Sequence, residues 1–181
     1  MQVKDILRDC LKKLNRADFL ENETPTEQET ALLSRLLDCL NLVYQEIVTD
    51  YFPLSVVEEV QLNGSLFRYS ELEHRLIKPI KLEKDGKNIT FTAAPSGIYC
   101  GAVGTAAFTY CYLPEALDAG SEIDDYRLTS GLLSNGVLGE YYFLDSVFDM
   151  ASAYDAKFRN DLSWAAAKGR EIKIKARRWG A

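Results

Sequence analysis

Between Thr26 and Phe52 apolar residues recur at steps of three and four: Ala31, Leu32, Leu33, Leu36, Leu37, Leu40, Val43, Ile47, Val48 and Tyr51. That is the period of one helical face. Pro25 stands just before the run, and Thr26 with Glu29 has the spacing of a capping box. Pro53 cannot continue a helix, so the rod closes at Tyr51-Phe52. At about 1.5 Å per residue it is on the order of 40 Å long.

Upstream, Val3, Ile6, Leu7, Leu11 and Leu14 predict a short amphipathic helix. The polar stretch Asn15 to Pro25 joins the two. After Pro53 the period shortens. Val56 to Leu62 alternates as a strand, Asn63-Gly64 marks a tight turn, and Leu66 to Tyr69 resumes extended chain. Leu76 to Glu83 and Ile89 to Thr92, separated by Asp85-Gly86, read as a hairpin. Gly104 to Leu113 is the last strand, with Ala106, Phe108, Tyr110 and Tyr112 on one face.

From Asp124 the helical period returns, with Asp124 or Asp125 as the cap. Leu128, Leu132, Leu138, Tyr141 and Tyr142 lead to Leu144, and a break falls at Asp145-Ser146. Val147, Phe148, Ala151, Tyr154, Phe158, Leu162 and Ala165 then form the apolar stripe of a further helix, which Gly169 ends. Gly136 and Gly139 are costly inside a helix, so they predict close helix–helix approach or a local break. Glu171 to Trp179 alternates Ile172, Ile174 and Ala176 against Lys173, Lys175 and Arg177, a short strand with one apolar and one basic face.

These elements predict an α+β fold: a helical bundle with an inserted antiparallel β-sheet or small barrel and a short basic C-terminal strand or tail. Residues 1–53 and 115–168 form the bundle as one discontinuous domain, 54–114 the β-rich insert and 169–181 the tail.

Charge sharpens that division. The net charge is −6, yet Lys168 to Ala181 holds six basic residues against one acid, which leaves −11 for the remainder. An acidic body is unsuited to general nucleic-acid binding, which needs a basic surface. The tail is suited to phosphate or to an acidic protein surface. No apolar run reaches the roughly 20 residues that span a bilayer, and Met1 to Leu7 lacks the apolar core of a signal peptide, so use in a cytosol or in a particle assembled there is expected. Cys10, Cys39, Cys100 and Cys111 include no C-x-x-C pair, so buried free thiols are expected and no metal site. Cys100 and Cys111 are spaced to face each other across two strands.

Candidate chemistry is thin. His74, in Glu71-Leu-Glu-His-Arg, has no serine or cysteine motif to serve and is read as a solvent-exposed loop histidine. Glu58-Glu59, Asp124-Asp125 and Asp145 with Asp149 are read as caps, turns or solvated faces. Gly97, Gly101 and Gly104 are read as turns between strands, since no phosphate-loop context surrounds them. Tyr99, Tyr110 and Tyr112 would make a stacking surface or simply fill strand positions. No enzyme activity and no cofactor is expected.

Several segments carry a likeness: Leu40-Asn-Leu-Val-Tyr-Gln-Glu-Ile-Val-Thr-Asp-Tyr-Phe-Pro-Leu, Phe67-Arg-Tyr-Ser-Glu-Leu, Phe108-Thr-Tyr-Cys-Tyr-Leu-Pro, and Gly136-Val-Leu-Gly-Glu-Tyr-Tyr-Phe-Leu running into Ala153-Tyr-Asp-Ala-Lys-Phe. In these, and in the order helices, β-rich insert, helices, tail, the chain resembles the head–tail connector (adaptor, neck) proteins of tailed bacteriophages and prophages. The resemblance implies a structural virion protein at the head–tail interface, assembled in the bacterial cytoplasm. It implies a homo-oligomeric ring, commonly dodecameric, that binds the portal protein and tail or other neck proteins. DNA is then only passing cargo, with no membrane partner and no cofactor. Portal or subunit docking is assigned to Ile172, Lys173, Ile174, Lys175, Arg177, Arg178 and Trp179. A different reading of the same residues is a small module that binds protein or single-stranded nucleic acid through its β-insert.

Overall fold

The structure, a computed structural model, describes residues 1–16, 19 and 26–168. The described residues form four α-helices and two antiparallel sheets with no closed barrel. By contacts the chain divides into two compact units: Met1–Val43 with the chain from Leu117 onward, and Tyr44–Ala116.

The first unit holds α1 (Val3–Lys13), most of α2 (Glu27–Glu46), α3 (Ser130–Leu144) and α4 (Phe148–Lys168). α1 buries Val3, Ile6, Leu7, Cys10 and Leu11, the expected stripe. The predicted capping box opens α2: the Thr26 N–H donates to Glu29 Oε2 at 2.5 Å and the Glu29 N–H to Thr26 Oγ1 at 3.3 Å. Burial along α2 follows Leu36, Cys39, Leu40 and Val43, whereas Ala31 is exposed. The Asn41 amide brackets the backbone of Leu117: Nδ2 donates to its carbonyl at 3.0 Å and Oδ1 accepts from its N–H at 2.7 Å.

α3 starts later than expected. Thr129 is its N-cap, accepting from the Leu132 N–H at 3.2 Å. Neither Asp124 nor Asp125 caps it. Asp125 instead receives the Arg127 guanidinium at 2.5 Å, which holds its carboxyl below the usual carboxylate range. Gly136 is a close-approach glycine, because a Cβ there would meet Val43 Cγ1 at 2.8 Å and the Phe158 ring at 3.0 Å. A polar lock threads this packing. Lys13 Nζ donates to Ser134 Oγ at 2.6 Å and Asn135 Oδ1 at 3.0 Å, Ser134 Oγ donates to Asp9 at 2.6 Å, and Asn135 donates to Asp161 at 3.0 Å. Ser134 is fully buried, so its hydroxyl needs these partners.

The second unit begins within α2 and passes into a π-helical turn, Ile47–Tyr51, closed by a Phe52 N–H to Ile47 carbonyl bond of 2.8 Å. The wider turn rotates the face by about one residue. Phe52 is therefore buried and Tyr51, expected on the stripe, is exposed.

Seven strands follow: β1 (Ser55–Asn63), β2 (Leu66–Arg68), β3 (Arg75–Lys84), β4 (Lys87–Asn88), β5 (Thr92–Ala94), β6 (Gly97–Tyr99) and β7 (Val103–Leu113). One sheet has the order β1-β7-β3-β4, the other β2-β6-β5. The turn at Asp85-Gly86 stands where expected, with φ of 51° and 73°. Its return strand is only β4, however, and the chain from Ile89 leaves to build β5 in the second sheet. Ala106, Phe108 and Tyr110 of β7 are buried with Val60, Leu62, Phe67, Leu82 and Ile98, and Tyr112 packs against them. Gly97 opens β6 directly after the turn at 95–96, and it must be glycine because a Cβ there would sit 2.0 Å from the Phe67 carbonyl oxygen.

Candidate functional site

The docking residues named from sequence, Ile172, Lys173, Ile174, Lys175, Arg177, Arg178 and Trp179, lie outside the described residues, as does the expected helix end at Gly169. Among the described residues each unit presents one feature that stands out chemically, and neither is a cleft.

In the helical unit it is the reversal between α3 and α4. The Ser146 N–H donates to the Phe143 carbonyl at 3.0 Å, and the Val147 N–H to the Tyr142 carbonyl at 2.9 Å. Ser146 has φ of 59°. This is the paired-bond helix ending that usually takes glycine at the left-handed position. It turns the chain so tightly that Phe143, Leu144, Val147, Phe148 and Met150 crowd one tip, at 59, 52, 42, 61 and 41% exposure. The Phe143 and Phe148 rings meet edge-on at 5.9 Å. Val147 and Phe148 were expected in the core stripe of α4; they are solvent-facing, and the buried stripe starts at Ala151. Asp145 anchors the tip through Arg35 at 2.6 Å, and the guanidinium lies over the Tyr141 ring at 5.0 Å.

In the sheet unit the feature surrounds β1. Tyr110, fully buried, donates its phenol hydrogen to Glu58 Oε2 at 2.6 Å. The Glu73 N–H reaches both Glu58 oxygens at 3.2 Å. Burial first, then the bond to Glu58, pushes the Tyr110 phenol up to about 12, so at neutral pH it is a fixed donor. His74 is half-buried, not the exposed loop residue expected, because its ring stacks on Tyr112 at 4.6 Å. The three candidate stacking tyrosines do not share a surface: Tyr110 is buried, Tyr112 is covered by His74, and Tyr99 stands exposed on β6.

The outer edge of β1 is open. β1 and β7 run in register from Ser55↔Cys111 to Asn63↔Val103. The Tyr112 N–H donates to the Leu54 carbonyl and the Gly64 N–H to the Ala102 carbonyl. The even-numbered residues of β1 thus carry the ladder to β7, and the N–H and C=O groups of Ser55, Val57, Glu59, Gln61 and Asn63 point the other way. All five residues are exposed, and among the described residues no backbone bond from another element meets them.

The four cysteines are free and buried. Burial pushes the Cys10 thiol up to about 12 and the Cys39 thiol to about 11, which keeps both neutral. Cys111 lies opposite Ser55 and Lys78 and does not face Cys100 in the ladder. Among the described residues no three His, Cys, Asp or Glu side chains gather as a metal-binding group, and no helix is long and apolar enough to cross a membrane.

Fold and surfaces together define a mixed α and β protein whose distinctive chemistry is at exposed apolar and backbone surfaces. No family model matches the chain, and no curated protein matches it.

Proposed function

We propose that this chain is a structural virion protein, a head–tail connector that forms a ring between portal and tail and extends the DNA channel. The observation that carries the reading is the order of segments resembling that family, from Leu40 to Phe158, along a chain that leaves its helical unit for a β-rich unit and returns to it. In this reading residues 1–53 and 115–168 act as one discontinuous helical bundle, and the strands between them are the β-rich insert. Two features support an assembly role. Five large apolar side chains stand exposed within eight residues at the α3–α4 tip, a density that on a soluble protein marks an interaction site. The β1 edge needs a cover. The acidic body, at −11 without the basic tail, suits a passage that DNA must traverse without adhering.

Affinity purification of the tagged protein from phage-producing cells tests the reading. The portal protein of the same phage should elute with it. If the portal stays in the flow-through while this protein is recovered intact, the connector reading is wrong.

A further inference from the structure

We propose that the outer edge of β1 accepts Glu171–Arg177 of a second copy of this chain as an added strand, joining neighbouring subunits. The proposal rests on the ring reading only in taking the donor to be a second copy; the acceptor edge and the match of the two strands stand on their own.

Among the described residues β1 is the longest strand whose outer edge has no paired strand at all. At the other margin of its sheet two-residue β4 covers only the end of β3, whose remaining edge carries Lys78, Pro79 and Lys81, and the strands of the second sheet have three residues each. Edge strands are usually guarded by proline, lysine or a bulge. β1, Ser-Val-Val-Glu-Glu-Val-Gln-Leu-Asn, has neither residue, and the register shifts of this sheet fall in β3 instead. Five outward-facing peptide groups therefore await an extended partner.

The sequence holds one segment whose pattern fits both faces of that edge. On the core side β1 points Val56, Val60 and Leu62, with Glu58 among them already bonded to Tyr110, and Ile172 and Ile174 would extend the apolar part of that row. On the solvent side it points Val57, Glu59 and Gln61, and Lys173 and Lys175 would stand beside Glu59. Seven residues span about 23 Å as a strand, within the reach of nine-residue β1. Charge matches as well, a +5 terminal segment against a −11 body. Donation from each copy to the next is a head-to-tail contact, the kind that closes into a ring when its rotation permits.

The test is carbodiimide coupling of the full-length protein, mixed from equal parts of unlabelled and 15N-labelled material at high concentration. The reagent activates a carboxylate, a lysine amine displaces it to form an amide, and the carbodiimide leaves as its urea. Mass spectrometry should find Glu59 joined to Lys173 or Lys175, in pairs of mixed isotope as well as matched. Absence of these pairs, or pairs of matched isotope only, overturns the proposal. So does salt-sensitive retention of the terminal segment on DNA with no Glu59 coupling. Glu59→Lys, on an exposed residue outside the ladder, should leave the melting temperature unchanged and weaken self-association by roughly tenfold. Adding Lys173→Glu with Lys175→Glu should restore it. An unrestored double reversal counts against the pairing. If coupling is absent while particles carry a ring of this protein, the joint fails and the ring reading stands; coupling in a protein absent from particles supports the joint and sinks the ring reading.

Discussion

Tyr110 shows how one side chain ties several elements. Its phenol satisfies Glu58, and Glu58 also holds the loop N–H of Glu73. Tyr110→Phe removes the donor without a cavity, so we expect a loss of about 1 kcal/mol at neutral pH. The pH dependence has a definite sign. The phenol is raised above its ordinary value of about 10, to about 12. Its contribution is complete below about pH 10 and is lost as pH rises toward 12. Denaturant titrations should therefore show the parent losing stability over that alkaline range more steeply than Tyr110→Phe. Parallel curves would mean that the buried bond does not form. Leu40 and Phe158, both buried in the helical unit, probe packing instead. Leu40→Ala and Phe158→Ala should each cost about 2–5 kcal/mol through lost burial and residual cavity. Melting like the parent in both variants would contradict the packing described.

At the scale of elements the α3–α4 reversal is the informative case. Ser146 occupies a left-handed position that costs an L-residue about 1–2 kcal/mol. Ser146→Gly should stabilise the protein by about 0.5–1 kcal/mol, since glycine's greater unfolded-state entropy offsets part of the relief; a lowered melting temperature would show that the serine side chain supports the turn. Sequence reading found the break at Asp145-Ser146, because the apolar stripe lapses there. It put Val147 and Phe148 in the core, because periodicity identifies an apolar face without saying whether anything covers it. The same limit hid the π turn. A stripe with apolar residues at both Tyr51 and Phe52 reads equally well in either register. α1, the Thr26–Glu29 cap, β7 and the Asp85-Gly86 turn were legible because local chemistry alone dictates them. β5 and β6 were not, since three-residue strands show no period and depend on pairing with each other and, for β6, with β2. The Thr129 cap was hidden by two aspartates that looked better placed. The docking set, Ile172 to Trp179, was a reading of charge and alternation, and it lies outside the described residues.

For the whole molecule, an acidic body, an apolar helix tip and an open strand edge all fit the proposed role as a subunit of an assembly. Each of these features is costly or idle in an isolated chain. Exposed apolar clusters invite association, an unguarded nine-residue edge invites pairing, and like charge spread over a monomer opposes compactness. In the proposed ring the first two would serve as joints, and the third would line a passage along which DNA slides. The measurement that tests this most directly is electron microscopy of phage particles purified from cells that produce the protein, with the chain located by antibody or tag. The account predicts a closed ring of copies at the neck, between portal and tail. Particles that lack the protein, purified from cells in which it is abundant, would contradict it.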